Sequence, residues 1–148
     1  MTELKTAHGA MLEWAAENPD RVFLRQPIGE DIREFTWRDC VEESSRIATA
    51  LQSLGLGAGD KVAILSKNCA EWMLADLAIA MAGMISVPIY PTASAETIEY
   101  ILADSAARAV FVGKLDEPEK QAPAIAPRIK SIAFPYETME CALNWTEL

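Results

Sequence analysis

The strongest constraint on the fold is a set of four short apolar runs separated by longer segments with helical periodicity. The runs lie at residues 61–65, 85–89, 109–112 and 131–134. Well over ten residues separate each run from the next, which is the length that a crossover between parallel strands requires. Continuous apolar runs are typical of strands buried on both faces. The pattern predicts an α/β fold, a doubly wound and mostly parallel sheet with helices on both faces.

The N-terminal part of the chain predicts a helix followed by a hairpin. Residues 3–17 place apolar side chains at helical spacing, and the sequence Asn-Pro-Asp that follows ends the helix. Residues 22–26 and 33–36 predict two strands joined across residues 27–31. We expect this antiparallel hairpin to lie at the edge of the parallel sheet.

Two helix starts show the spacing of a capping box, in which two side chains satisfy free amide groups at the beginning of a helix. Thr36 is followed three residues later by Asp39, and Asn68 is followed three residues later by Glu71. Each pair precedes a segment with helical spacing. The second of these segments, residues 69–83, is apolar almost all round, which predicts a buried helix that leads into a buried strand.

Composition excludes several classes of function. The chain of 148 residues has 22 acidic and 13 basic side chains, a formal net charge of -9, and its Lys and Arg residues are scattered. Nucleic acids and anionic membrane surfaces are therefore not expected partners. Cys40, Cys69 and Cys141 are far apart and His8 is the single histidine, so we expect no metal site.

The apolar stretch at residues 72–90 could be mistaken for a membrane span. Asp76 lies inside it, and Gly83 and Pro88 divide it into pieces too short to cross a bilayer. We therefore predict no membrane span. The N-terminus lacks the apolar run of a signal peptide, and the cysteines suit a reducing compartment, so we expect a cytoplasmic location.

Alternating glycines at residues 55–59 resemble a dinucleotide-binding loop. Such a loop leaves a strand and opens a helix, whereas here a helix precedes the glycines and a strand follows them. The segment is better explained as a turn that begins with Gly55 after the helix. This order also disfavours a small nucleotide-binding enzyme of the flavodoxin-like or Rossmann type.

Ligands of open parallel sheets bind beyond the carboxyl ends of the strands. Asn68 follows the first apolar run, and Tyr90 and Thr92 follow the second, so these three residues are candidates for loops on the substrate side. Two of them also have a structural explanation, Asn68 as a helix cap and Tyr90 as part of a packed turn. We identify no catalytic residue, because no paired carboxylates, activated nucleophile or Gly-rich phosphate loop occur.

Residues 61–114, KVAILSKNCAEWMLADLAIAMAGMISVPIYPTASAETIEYILADSAARAVFVGK, resemble the N-terminal subdomain of adenylate-forming enzymes. The resemblance extends over residues 22–112. The sequence VPIYPT followed by SAETIEYIL is most similar to AMP-forming acyl-CoA synthetases that act on long-chain fatty acids.

The resemblance implies that a full-length enzyme would use ATP, Mg²⁺ and CoA to convert a fatty acid to its acyl-CoA. The Ser/Thr/Gly-rich phosphate loop and the later motifs of that family do not occur in this chain. We therefore expect residues 1–148 to form a single α/β domain that is inactive by itself and binds none of these cofactors. Its partner would be the missing remainder of the ligase, with self-association through exposed apolar surface. The alternative is a self-standing interaction or regulatory module that reuses the scaffold.

Overall fold

The computed structural model describes residues 6–148. The predicted start of the first helix, at residues 3–5, lies outside the described residues. The helices and strands are α1 (Ala7–Glu17), β1 (Val22–Ile28), β2 (Asp31–Thr36), α2 (Trp37–Ser53), β3 (Lys61–Leu65), α3 (Ala70–Met81), β4 (Ile85–Ile89), α4 (Ala95–Asp104), β5 (Ala109–Val112), α5 (Pro118–Gln121), β6 (Lys130–Ala133) and β7 (Leu143–Asn144). Short 3₁₀ turns follow α5 and β7, at Ala122–Ala124 and Trp145–Glu147.

The main sheet confirms the predicted doubly wound α/β class. Its five strands are all parallel, in the order β4-β3-β5-β6-β7. The hairpin β1–β2 also forms, with Gly29 in the left-handed conformation that its tight turn requires. It is a separate two-stranded sheet, however, and it packs against α2 and α3 instead of hydrogen-bonding to an edge strand.

The alternation of side chains along β3 divides the core into two layers. Val62 and Ile64 pack with α2 and α3 on one face of the sheet, while Ala63 and Leu65 pack with α4 on the other. All four side chains are fully buried. The continuous apolar run of β3 therefore marks a strand covered on both faces, as predicted.

β4 was expected to be buried, but it is one of the two edge strands of the sheet, and Ile85 is 50% exposed. The Ile85 amide donates to the Asp60 carbonyl oxygen on the β3 side at 2.8 Å. Because successive residues of a strand point their backbone groups in opposite directions, the backbone groups of Ser86 and Pro88 face the open edge. Proline has no amide hydrogen to leave unpaired there, which is why this strand tolerates it.

Two C-terminal features differ from the expected elements. The sequence of residues 116–126 predicts a short helix, but the structure has a four-residue α5 continued by a 3₁₀ turn that contains Pro123, because proline cannot supply an interior helical amide. The sequence of residues 135–148 has no clear helical or strand period, yet the segment contains β7 and a buried Trp145. The Trp145 ring meets Phe111 and Phe134 edge-on, at centroid distances of 5.7 and 5.3 Å.

Candidate functional site

The carboxyl edge of the parallel sheet is the place where a ligand is expected. From β3 the chain crosses to β4 on one side and then returns to β5 on the other side of β3. The gap beyond β3 and β5 is therefore the topological switch point, where open α/β sheets bind their ligands.

That switch point is filled by the protein itself. The Lys114 amide donates to Ser66 Oγ at 3.0 Å, and the Lys67 amide donates to the Lys114 carbonyl oxygen at 2.9 Å. A β-carbon placed on Gly113 would clash with the Ser66 side chain and lie 2.5 Å from a Phe134 ring atom. Since these amides are already paired and the space is packed, the residues present do not fit a nucleotide phosphate.

A buried carboxylate lies beside this edge. Glu71 is only 1% exposed, and its two oxygens are held by an ion pair with Arg33 from β2 and a hydrogen bond donated by the Tyr136 hydroxyl. A buried carboxylate is stable only when it is paired in this way. The contact joins the hairpin, α3 and the loop after β6.

The predicted capping box of Asn68 and Glu71 is wrong. Helix α3 begins after Cys69, which makes no side-chain capping bond, and Glu71 is already held by Arg33 and Tyr136. The first amide of the helix, that of Ala70, instead donates to Gln26 Oε1 of β1 at 2.9 Å. The cap comes from a residue distant in sequence, and no local spacing indicated it.

The titratable groups near the carboxylate suit a packed structure. Burial raises the pKa of the Tyr136 hydroxyl to about 12, with a smaller contribution from Cys69. Burial also raises the pKa of the Cys69 thiol, so this thiol stays protonated and is a poor nucleophile. Lys114 Nζ lies 4.2 Å from the centre of the Tyr136 ring, a cation–π contact.

The three candidate residues separate into two cavities. Asn68 and Tyr90 line a cavity of about 400 Å³ beyond β3 and β4, together with Trp72, Pro88 and others. Thr92 lines a different cavity of about 560 Å³, between the start of α4 and α5. Pro91 borders both.

The described part of the chain offers little catalytic chemistry. Within residues 6–148, no three His, Cys, Asp or Glu side chains are grouped so that they could hold a metal ion. None of the helices in this range has the length and apolar character needed to cross a membrane. His8 lies on α1, where its ring nitrogen is 3.4 Å from the Thr6 hydroxyl.

Comparison with known proteins gives consistent matches. The family model described as AMP-binding enzyme matches residues 11–142. A long-chain-fatty-acid–CoA ligase, FadD15 of Mycobacterium bovis, is 34% identical over 137 residues, which are 89% of this chain and 21% of that protein. An uncharacterized protein of Mycobacterium tuberculosis is 29% identical over 127 residues, covering 86% of this chain and 66% of that protein.

A solved structure has the same fold over nearly the whole chain. The acetoacetyl-CoA synthetase from Streptomyces lividans superposes with a TM-score of 0.84 and 20% sequence identity, covering 95% of this chain and 24% of that protein. The chain thus spans about a fifth of the length of the M. bovis ligase and about a quarter of the synthetase.

Proposed function

The chain belongs to the AMP-binding enzyme family, and we propose that it is the N-terminal part of an acyl-CoA ligase that acts on long-chain fatty acids. The observation that carries the proposal is the extent of the match. Nearly all of this chain aligns with the ligase of M. bovis, while the alignment covers only 21% of that enzyme. Most of the ligase would therefore be contributed by polypeptide outside these residues.

In the proposed enzyme this chain is a platform, meaning a folded scaffold against which the remaining polypeptide packs and which does not itself catalyse the reaction. Enzymes of the family use ATP and CoA, and we propose that the remaining polypeptide binds them, together with Mg²⁺. Asn68, Tyr90 and Thr92 would border the substrate side without catalysing a step. The packed switch point at Ser66 and Gly113 supports this assignment, because the Lys67 and Lys114 amides there already have acceptors within the protein.

We propose that the chain alone is inactive and forms one domain in the cytoplasm. Two groups at the carboxyl edge support this: burial raises the pKa of the Cys69 thiol, and the Glu71 carboxylate is already held by Arg33 and Tyr136. The three cysteines are free in the structure, which is consistent with a reducing compartment.

A chimera tests the platform role. This chain would replace the matched segment of the M. bovis ligase, and acyl-CoA formation would be measured with palmitate, octanoate and acetate. We expect activity that is highest with palmitate. A chimera that is folded and monodisperse but forms no acyl-CoA contradicts the platform role, and one that prefers octanoate or acetate contradicts the long-chain assignment.

A second candidate function is a self-standing interaction module. It is favoured by the M. tuberculosis protein, of which the matching stretch covers 66%, so that relative is much shorter than the ligases. A self-standing module should be monomeric and bind little of a dye that reports exposed apolar surface. A ligase platform should bind the dye and self-associate on size-exclusion chromatography.

A further inference from the structure

We propose that the cavity lined by Asn68, Trp72 and Tyr90 is the docking surface for the part of the ligase that this chain lacks. We call it the Trp72–Tyr90 surface. The inference rests on the proposed function and names where the partner polypeptide binds. It predicts an apolar contact in which Tyr90 is the anchor.

The first argument is the composition of the surface. None of the seven residues that line the cavity is charged, although 24% of the residues in the chain are Asp, Glu, Lys or Arg. Most of the cavity lining consists of a Trp, a Tyr, two prolines and an isoleucine. Depletion of charge with enrichment of Tyr and Trp distinguishes the centre of a protein interface from ordinary surface.

The second argument is the exposure of Tyr90. This side chain is 84% exposed, the largest exposed fraction among the large hydrophobic residues that the structure describes. It sits between Ile89, which is 3% exposed, and the half-buried Pro91, so its position is fixed while its ring projects. A rigid, projecting tyrosine is typical of an interface anchor, since it gains contact area at a small cost in conformational entropy.

The third argument concerns Asn68. Because Gln26 caps α3, Asn68 has no structural task in the helix start. Its side chain is exposed at the cavity and forms no hydrogen bond within residues 6–148. An amide in this position offers both a donor and an acceptor to an incoming backbone.

The occupant follows from the length of the relatives and the position of the cavity. The M. bovis ligase contains nearly five times as much chain as the matched part, and the cavity opens beyond the carboxyl ends of β3 and β4. Substrates of an open α/β sheet lie at this edge, so the polypeptide that supplies the missing binding groups must approach it. An uncharged surface suits this contact better than it suits an anionic ligand.

Photo-crosslinking in the chimera with the M. bovis ligase tests the contact. A benzophenone-bearing amino acid replaces Tyr90 in one preparation and Tyr100 in another, and a protease site separates this chain from the remainder after irradiation. Tyr100 is the matched control, a tyrosine 66% exposed on α4 and outside the cavity. We expect the label at position 90 to crosslink this chain to the remainder of the chimera, so that the two stay together after the protease cut. The label at position 100 should give no such crosslink.

Activity gives a second measurement. Tyr90→Asp should lower acyl-CoA formation by about tenfold or more, whereas Tyr100→Asp should change it less than about twofold. The unlabelled chimera could be active while the label at position 90 forms no crosslink to the remainder, or crosslinks only to a second copy of this chain. In either case the docking surface is wrong while the proposed function stands. If the unlabelled chimera is folded and inactive, the proposed function itself fails.

Discussion

The side-chain oxygen of Gln26 accepts the hydrogen bond of the Ala70 amide at 2.9 Å, so the N-terminal hairpin supplies the cap of the central helix α3. Gln26 is only 6% exposed, and its own amide nitrogen donates to the Pro27 carbonyl oxygen at 2.9 Å. Together with the ion pair between Arg33 and Glu71, this contact attaches the hairpin to the carboxyl edge of the sheet.

Gln26→Ala should destabilise the protein by about 1 kcal/mol, because the Ala70 amide loses its acceptor in a buried position. The free energy of unfolding would be measured by urea titration. Asn68→Ala is the control, and it should change stability by less than about 0.5 kcal/mol. The opposite order of effects would show that Asn68 caps the helix after all.

Gly113→Ala should destabilise the protein by about 1–3 kcal/mol, because the added methyl group has no space between Ser66 and Phe134. Gly57→Ala is the matched control, since a β-carbon there meets nothing within 4 Å and the backbone is not left-handed. Equal thermal unfolding midpoints for the two variants would contradict the packed switch point.

Tyr136→Phe should destabilise the protein near neutral pH by about 1–3 kcal/mol, because Glu71 loses a donor while buried. In the unmodified protein the pKa of Tyr136 is raised to about 12. A raised pKa contributes stability that is complete below the unfolded value, about 10, and that is lost as the pH rises through the folded value. Urea titrations across alkaline pH should therefore show a shallower decline for the variant, and an unchanged decline would contradict the assignment.

Glu43→Gln should loosen the C-terminal segment from α2. Glu43 Oε1 accepts hydrogen bonds from Trp145 Nε1 and Arg46 Nη2, each at 2.6 Å. Burial raises the pKa of Glu43, but the bonds from Arg46 and Trp145 outweigh it and the pKa is lowered. Stability from this group is therefore present above its unfolded pKa and is lost as the pH falls through the folded pKa.

The expected loss for Glu43→Gln is about 1–2 kcal/mol at neutral pH, and it should shrink in acid. Unfolding would be followed by tryptophan fluorescence, with Glu42→Gln as the control on the exposed face of α2. A difference between variant and parent that stays constant down to acid pH would rule out the charged form as the cause.

Local patterns predicted the elements whose partners are close in sequence. The capping box of Thr36 and Asp39 is confirmed, with Asp39 accepting from the Thr36 amide at 2.8 Å and the Thr36 hydroxyl accepting from the Asp39 amide at 3.2 Å. The five-stranded sheet contains the four apolar runs. Ser94 caps α4 by the same local rule, through a bond from the Thr97 amide at 3.2 Å.

The features that the sequence did not predict correctly involve contacts between residues that are distant in sequence. Glu71 could not act as a capping residue because Arg33, 38 positions earlier, pairs with it. Trp145 showed no pattern because it follows a strand of only two residues and its partner Glu43 lies 102 positions earlier. No spacing rule reaches contacts of this kind.

The candidate site was predictable only in part, because the sequence indicated its position in the sheet but not the arrangement of its side chains. Asn68 and Tyr90 share a cavity because they follow adjacent parallel strands, β3 and β4, whose carboxyl ends meet at one edge. Thr92 lies two residues further along, at the turn into α4, and lines another cavity. The sequence indicated the edge, but it did not indicate on which side of the turn each side chain lies.

ATP–pyrophosphate exchange by the purified chain tests the central claim most directly. The chain would be incubated with ATP, Mg²⁺, labelled pyrophosphate and palmitate, with the intact M. bovis ligase as the positive control. A platform whose phosphate-binding groups lie on other polypeptide gives no exchange above a protein-free blank. Exchange that depends on palmitate would show that these residues adenylate a fatty acid by themselves, and it would contradict the account.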